Sequence, residues 1–281
     1  MTSGMDWQGR VGDVWAAQWR RTERSFTHLT TQLDAVIAAV APAQGRVLDI
    51  GCGVGSTGLA LRAARPDLAL VGGDLSPGLL ALAQARADEW LSGVSGNPPR
   101  FVCGDAVTVA AAEGPFDLFV SRHGVMFFPD PVVAFAGLRA AAAPGAMMVF
   151  SCFDERGHNR FATLADEVIG DAPATTSDYA PGPFAFADLH RTGAWLERAG
   201  WTIDSAARVG FDYIVGEGEG AVEEAVDFLS HIGPAARAIA TATPDERARI
   251  VTALREALSH HRTEDRVALP ASAWIWRIRA R

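Results

Sequence analysis

Asp49 stands two residues ahead of a glycine series in the run Val47-Leu48-Asp49-Ile50-Gly51-Cys52-Gly53-Val54-Gly55-Ser56-Thr57-Gly58. Glycines at 51, 53 and 55 remove the Cβ where a backbone must turn sharply and approach a ligand, and Gly58 lets the next helix pack close on a sheet. A helix opening near Ser56 aims its unpaired N–H groups at that ligand. The chemistry implied is the cradling of a nucleotide, with the Asp49 carboxylate facing the pocket. A second group of chemically capable residues is Ser121-Arg122-His123-Gly124. His123 is the candidate for substrate contact or general base, because an imidazole takes up a proton near neutral pH. Arg122 either holds a substrate carboxylate or pairs with an acid of its own domain. Ser121 reads as a backbone contact at the ligand edge and not as a nucleophile, since no nucleophile elbow surrounds it.

Strands and helices must alternate to place these groups. Val47 to Ile50, Leu68 to Gly72 and Phe101 to Cys103 read as strands, separated by helices over about Thr57 to Ala64 and Pro77 to Leu91. Phe116 to Ser121 and Met147 to Phe150 continue the series, with Asp130-Pro131 opening the helix between them and Pro144-Gly145 in a turn. Such alternation predicts a parallel sheet covered by helices on both faces, and an open sheet of that kind places reacting groups at the carboxyl ends of its strands.

The acid-x-Gly-x-Gly-x-Gly run, together with Val71-Gly72-Gly73-Asp74-Leu75-Ser76, Val102-Cys103-Gly104-Asp105-Ala106 and the fourth strand in that order, resembles the class I S-adenosylmethionine-dependent methyltransferases over about residues 45 to 153. The resemblance implies a doubly wound, Rossmann-like α/β fold with a seven-stranded mixed sheet. It also implies S-adenosyl-L-methionine as cofactor, with Asp74 on the ribose hydroxyls, Asp105 and Ala106 at the adenine, Leu75 on the adenine face, and Asp49 with Gly51, Gly53, Gly55 and the Ser121 edge around the amino-acid end. Ser76 can supply the helix cap, leaving Asp74 for the ribose. Two other readings use a glycine loop: a nicotinamide-dependent oxidoreductase, and a catalytically silent cofactor-binding regulator.

Beyond the core, residues 1–44 read as a helical cap segment, with Trp15, Trp19 and Phe26 on an aromatic face. Residues 154–190, dense in Gly and Pro, break the strand–helix alternation and read as a substrate-cap insertion, and 191–281 as the rest of the core. That last part predicts a sixth strand over Trp201 to Phe211, a glycine hinge at Gly216, Gly218 and Gly220, and two helices, about Ala221 to Ala240 and Asp245 to His261, within an insertion at about 216–268. Ala273 to Arg279 reads as a terminal antiparallel strand, which the resemblance places beside the fifth. Trp15, Trp19, Arg122, His123, Phe127, Phe161, Tyr179 and Phe184 are the candidate substrate pocket, and its aromatic character favours a small aromatic or hydrophobic acceptor, methylated most simply on oxygen, with nitrogen and carbon as the alternatives.

Composition narrows the classes. The 281 residues carry a formal charge of −8 with no Lys/Arg run, which argues against a partner bound by phosphate neutralisation and so against nucleic acid. No leader or long apolar run is visible, so a cytoplasmic protein off the membrane, monomer or homodimer, is expected. Cys52, Cys103 and Cys152 are an odd number near strand ends and read as free thiols. His158, His190, His231 and His260-His261 lack ligand spacing, and no metal is expected.

Overall fold

The structure, a computed structural model, describes residues 4–93, 96–170 and 179–280. Eight strands lie in one sheet among these residues: β1 Gly45–Ile50, β2 Leu68–Asp74, β3 Arg100–Cys103, β4 Phe116–Arg122, β5 Ala142–Phe153, β6 Trp201–Glu217, β7 Arg262–Thr263 and β8 Arg266–Ala280. Their order is β3-β2-β1-β4-β5-β8-β6, with the two-residue β7 paired to β8 off that path. The first five are mutually parallel, and β8 runs antiparallel between β5 and β6. This is the doubly wound mixed sheet expected, with seven strands along its path and β7 added.

The strand order reverses between β1 and β4, and at such a switch point the loops leaving adjacent strands diverge and open a crevice. Both faces of these central strands are covered, so Val47, Leu48, Leu118, Phe119, Val120, Met148 and Val149 are fully buried. That is why they read as continuous apolar runs instead of alternating ones. Pro131 at N1 and Asp130 as the cap, accepting from the Val133 N–H at 3.1 Å, start the helix Pro131–Ala140 that returns the chain to β5.

The amino-terminal segment is four short helices, Gly4–Gln8, Arg10–Ala17, Trp19–Ser25 and Thr27–Val40, in place of one continuous stretch. Within residues 154–170 a 3-10 turn at Arg156–His158 leads into the helix Arg160–Ile169, which Gly170 terminates in the left-handed conformation (φ 78°). Residues 171–178 of that expected insertion, including Pro173, lie outside the described residues. β6 runs six residues past the predicted end at Phe211, through Gly216, so that glycine is no hinge. A Cβ on Gly216 would meet the Ala221 carbonyl oxygen at 1.9 Å, and glycine is there to admit the following helix. Three helices follow, Ala221–His231, Pro234–Thr241 and Pro244–Ser259, because Gly233 (φ 95°) and Pro234 break the first of the two predicted ones. No described helix is long and apolar enough to cross a membrane.

Candidate active site

The glycine loop leaves β1 at the switch point. Gly51, Gly53 and Gly55 take φ values of 59°, 54° and 77°, which side-chain-bearing residues rarely adopt. A Cβ on Gly51 would lie 3.0 Å from Gly124 Cα, so the loops after β1 and β4 touch, whereas a Cβ on Gly53 would meet no heavy atom of the other described residues within 4 Å. Gly55 caps the helix Ser56–Ala64. Ser121 is buried and fastens the two strand ends together, its hydroxyl donating to the Ile50 carbonyl (2.7 Å) and accepting from the Gly124 N–H (3.2 Å).

Asp49 is 2% exposed and accepts from the Gly58 N–H at 2.9 Å. Burial pushes its carboxyl up to about 7, against the opposing pull of that N–H and of Arg122. Asp74 ends β2 and splits its oxygens: Oδ2 accepts from Gly53 N (2.8 Å) and Oδ1 from Ser76 N (2.9 Å). Burial raises its carboxyl, and these N–H groups counter the rise. Ser76 does cap the helix Pro77–Trp90, yet Asp74 is not left wholly free as expected: it braces the glycine loop and keeps acceptor capacity on each oxygen. Asp105 is exposed and caps the helix Ala106–Glu113, with the Val107 and Thr108 bonds both on Oδ1. Leu75 and Ala106 are half-buried beside these acids.

The amino-terminal helices cover this region. A Cβ on Gly12 would lie 2.6 Å from Ser76 Oγ, which puts the helix Arg10–Ala17 directly on the segment after Asp74. Glu23, a residue the sequence reading missed, pairs with Arg122 through both guanidinium nitrogens and hydrogen-bonds Ser56 at the start of the loop helix. Arg122 also donates to Thr30 Oγ1 (3.0 Å). Of the two roles weighed for it, the structure has the pairing with an acid of its own chain. Arg86, also missed, donates to the Val54 carbonyl (2.6 Å) and Ser56 Oγ (2.7 Å) while lying 4.9 Å over the Trp19 ring.

The aromatic residues expected to form one pocket fall into separate groups. Phe127 and Trp15 meet around Trp7, with ring centroids 5.1 and 5.6 Å away. Trp19 stacks on Arg86, and Tyr179 packs on Trp195 (5.1 Å) with its hydroxyl donating to the Phe128 carbonyl. Phe161 and Phe184 join Phe26, Phe153 and Tyr213 in a continuous cluster that includes His123.

His123 has a φ of 62°, an uncommon conformation for a residue with a side chain. Its ring is 7% exposed, with Phe153 edge-on at 4.3 Å and Phe26 at 4.9 Å. Nδ1 lies 2.9 Å from Ser151 Oγ, while Nε2 is buried with no partner among the described residues. Burial, and then the charge of Arg122, push the imidazole down to about 3, so it is neutral at physiological pH. Ser151 and Tyr213 went unremarked in the sequence, although a serine amid Met147-Met148-Val149-Phe150 and Cys152-Phe153 is a polar group without an evident partner.

Comparison with known proteins places this geometry. A sequence profile described as a methyltransferase domain matches residues 47–145. A trans-aconitate 2-methyltransferase of Methylobacterium nodulans is 31% identical over 199 residues, covering 69% of this chain and 71% of that protein. A tRNA 5-carboxymethoxyuridine methyltransferase of Escherichia coli is 29% identical over 196 residues, covering 66% and 71% respectively. Among solved structures, magnesium protoporphyrin IX methyltransferase from Synechocystis with bound SAH shares the fold, with a TM-score of 0.54 at 20% identity over 72% of this chain and 90% of that one. The nicotinamide and silent-regulator readings give way to these relationships. With the switch-point loop, the acids at the ends of β1 and β2 and the antiparallel β8, they identify the chain as a class I S-adenosylmethionine-dependent methyltransferase.

Proposed function

We propose that the chain methylates a small molecule with an apolar or aromatic body on an oxygen atom, and that this acceptor lies against the aromatic cluster around His123. The observation that carries the reading is the buried Nε2 of His123, which has no partner among the described residues. A buried polar group without a partner costs on the order of 1–3 kcal/mol, a cost that a bound acceptor would remove. The left-handed backbone at the same residue adds a second cost, of a kind that collects at functional sites.

S-adenosylmethionine supplies a methyl group already activated by positive sulfur. The residues around the loop suit it: Gly53 leaves its outer face open, Asp74 has acceptor capacity for two ribose hydroxyls, Asp105 keeps Oδ2 for the adenine amino group, and Asp49 sits where it can meet the ammonium end directly or through water. Leu75 and Ala106 flank the adenine position. The protein's own contribution is alignment and the exclusion of water, which the amino-terminal helices serve by covering Ser76 and Ser56.

The charge of −8 supports a small acceptor over tRNA. Both relatives named above act on substrates that bear carboxyl groups, which favours oxygen as the methylated atom. The test is formation of S-adenosylhomocysteine by the purified chain with aromatic carboxylic acids, phenols and bulk tRNA as alternative acceptors. Turnover with a small apolar acceptor is expected, and turnover with tRNA alone would overturn the reading.

A further inference from the structure

The glycine loop, the helix Pro77–Trp90 and the amino-terminal segment meet at the guanidinium of Arg86. This side chain leaves the helix Pro77–Trp90 and donates to the Val54 carbonyl (2.6 Å) and to Ser56 Oγ (2.7 Å). Val54 and Ser56 are buried. The Arg86 Cζ lies 4.9 Å from the centre of the Trp19 ring and 5.5 Å from that of Trp90. Trp19 and Glu23 share the short helix Trp19–Ser25, and the Ser56 hydroxyl donates to Glu23 while its oxygen accepts from Arg86. One hydroxyl thus joins the loop helix, Arg86 and the amino-terminal segment.

From this convergence we infer that Arg86 is a positioning residue for the cofactor: it holds the Val54 carbonyl in the loop conformation that receives S-adenosylmethionine, and Trp19 and Glu23 strengthen that hold, so that cofactor binding and seating of the helix Trp19–Ser25 favour one another. Three glycines in the left-handed region give the loop few restraints of its own. The Val54–Gly55 peptide is fixed from both sides, its carbonyl by Arg86 and its N–H by the Cys52 carbonyl at 2.8 Å. A bond from a charged donor to a carbonyl gains strength as water is removed from around the charge. Burial works against the Arg86 charge, Glu23 supports it and Arg122 opposes it more weakly. With the helix seated, Trp19 covers the guanidinium and Glu23 compensates its charge. With the helix lifted, Arg86 faces water and its hold on Val54 weakens. Linkage makes the effect reciprocal: whatever the seated helix adds to cofactor affinity, the bound cofactor adds to the seating of the helix. Neither Arg86 nor Trp19 has to touch the cofactor for this, because both act through the loop. The inference is independent of which acceptor is methylated.

Calorimetric titration of S-adenosylhomocysteine into the full chain tests this by a double-variant cycle. Trp19→Ala should weaken binding at least about fivefold, the low end of couplings between sites. Arg86→Met, which keeps the stem and loses the charge, should weaken binding by itself, and Trp19→Ala in that background should add less than about twofold. Trp19→Phe, which keeps a ring over the guanidinium, should restore binding, and Trp19→Leu should not. Hydrogen exchange in Trp19–Ser25 of the wild type should slow when S-adenosylhomocysteine is added, and in Arg86→Met it should not. Affinities are compared among chains whose circular dichroism matches the wild type; if Arg86→Met does not fold, the ring series at position 19 and the wild-type exchange decide. A loss from Trp19→Ala that persists in full without Arg86 would overturn the inference, because Trp19 would then act by another route. Unchanged affinity in Trp19→Ala, equal affinity in Trp19→Leu and Trp19→Phe, or wild-type exchange in Trp19–Ser25 that ignores the ligand would each overturn it as well.

Discussion

Glu23, on the short helix Trp19–Ser25, and Arg122, the last residue of β4, form an ion pair across 99 positions of sequence. Burial raises the Glu23 carboxyl, but the charge and hydrogen bonds of Arg122 pull it below its ordinary value, and the Arg122 guanidinium is held above its own. The amino-terminal segment is thereby clamped to the core at the edge of the glycine loop. Removing one partner leaves the other charge half-buried and uncompensated, so Glu23→Ala should cost roughly 2–4 kcal/mol in denaturant unfolding. The double variant Glu23→Ala/Arg122→Ala should be less destabilised than the sum of the two singles. Strict additivity would mean that the pair does not couple the segment to the core.

Asp49 predicts a pH dependence. Its folded carboxyl lies at about 7, above the ordinary value, so its stabilising contribution is complete below about pH 4 and is lost as pH rises through 7. Unfolding of Asp49→Asn should therefore lack a loss of roughly 2–4 kcal/mol that the wild type undergoes over this window. Binding should run the other way. A cationic ligand end favours the ionised carboxylate, so S-adenosylmethionine affinity should rise as pH passes 6 to 8 in the wild type and stay flat in Asp49→Asn. A flat wild-type profile would separate Asp49 from the ammonium.

The amino-terminal helices are also latched to the carboxy-terminal insertion. Arg24 reaches Glu224 at 3.0 Å, and Arg21 reaches Glu224 at 3.3 Å as well as Asp227. These pairs are partly exposed, so each is worth under about 1 kcal/mol and can open without unfolding the core. Hydrogen exchange with S-adenosylhomocysteine plus an acceptor found by the turnover screen should show new protection in both Arg10–Ser25 and Ala221–His231. Protection limited to residues 51–58 would argue against closure by these elements.

How far such features can be read from a sequence depends on the range of the interaction that makes them. The five parallel strands, the glycine turn and the Asp130 helix start are local: apolar runs, φ-permissive residues and capping side chains within four positions of one another. Glu23 is invisible among Arg20, Arg21 and Arg24 until β4 is brought against it. Ser151 likewise means nothing until His123 lies 2.9 Å away. Gly216 reads as a hinge because its glycine signals freedom, whereas its reason is the carbonyl of Ala221 packed where a side chain would go. For the aromatic residues, composition gives their number but not which of them share a neighbour: Tyr179 and Trp19 each have a partner away from Phe161 and Phe184.

The central claim is that the crevice between the glycine loop and the end of β2 holds S-adenosylmethionine with Asp74 on its ribose. Calorimetric titration of S-adenosylhomocysteine into the wild type and into Asp74→Ala tests it most directly. Loss of the charge-assisted bonds should weaken binding by on the order of 1.5–3 kcal/mol, with the variant still folded by circular dichroism. Equal affinity in a folded Asp74→Ala variant would contradict the account.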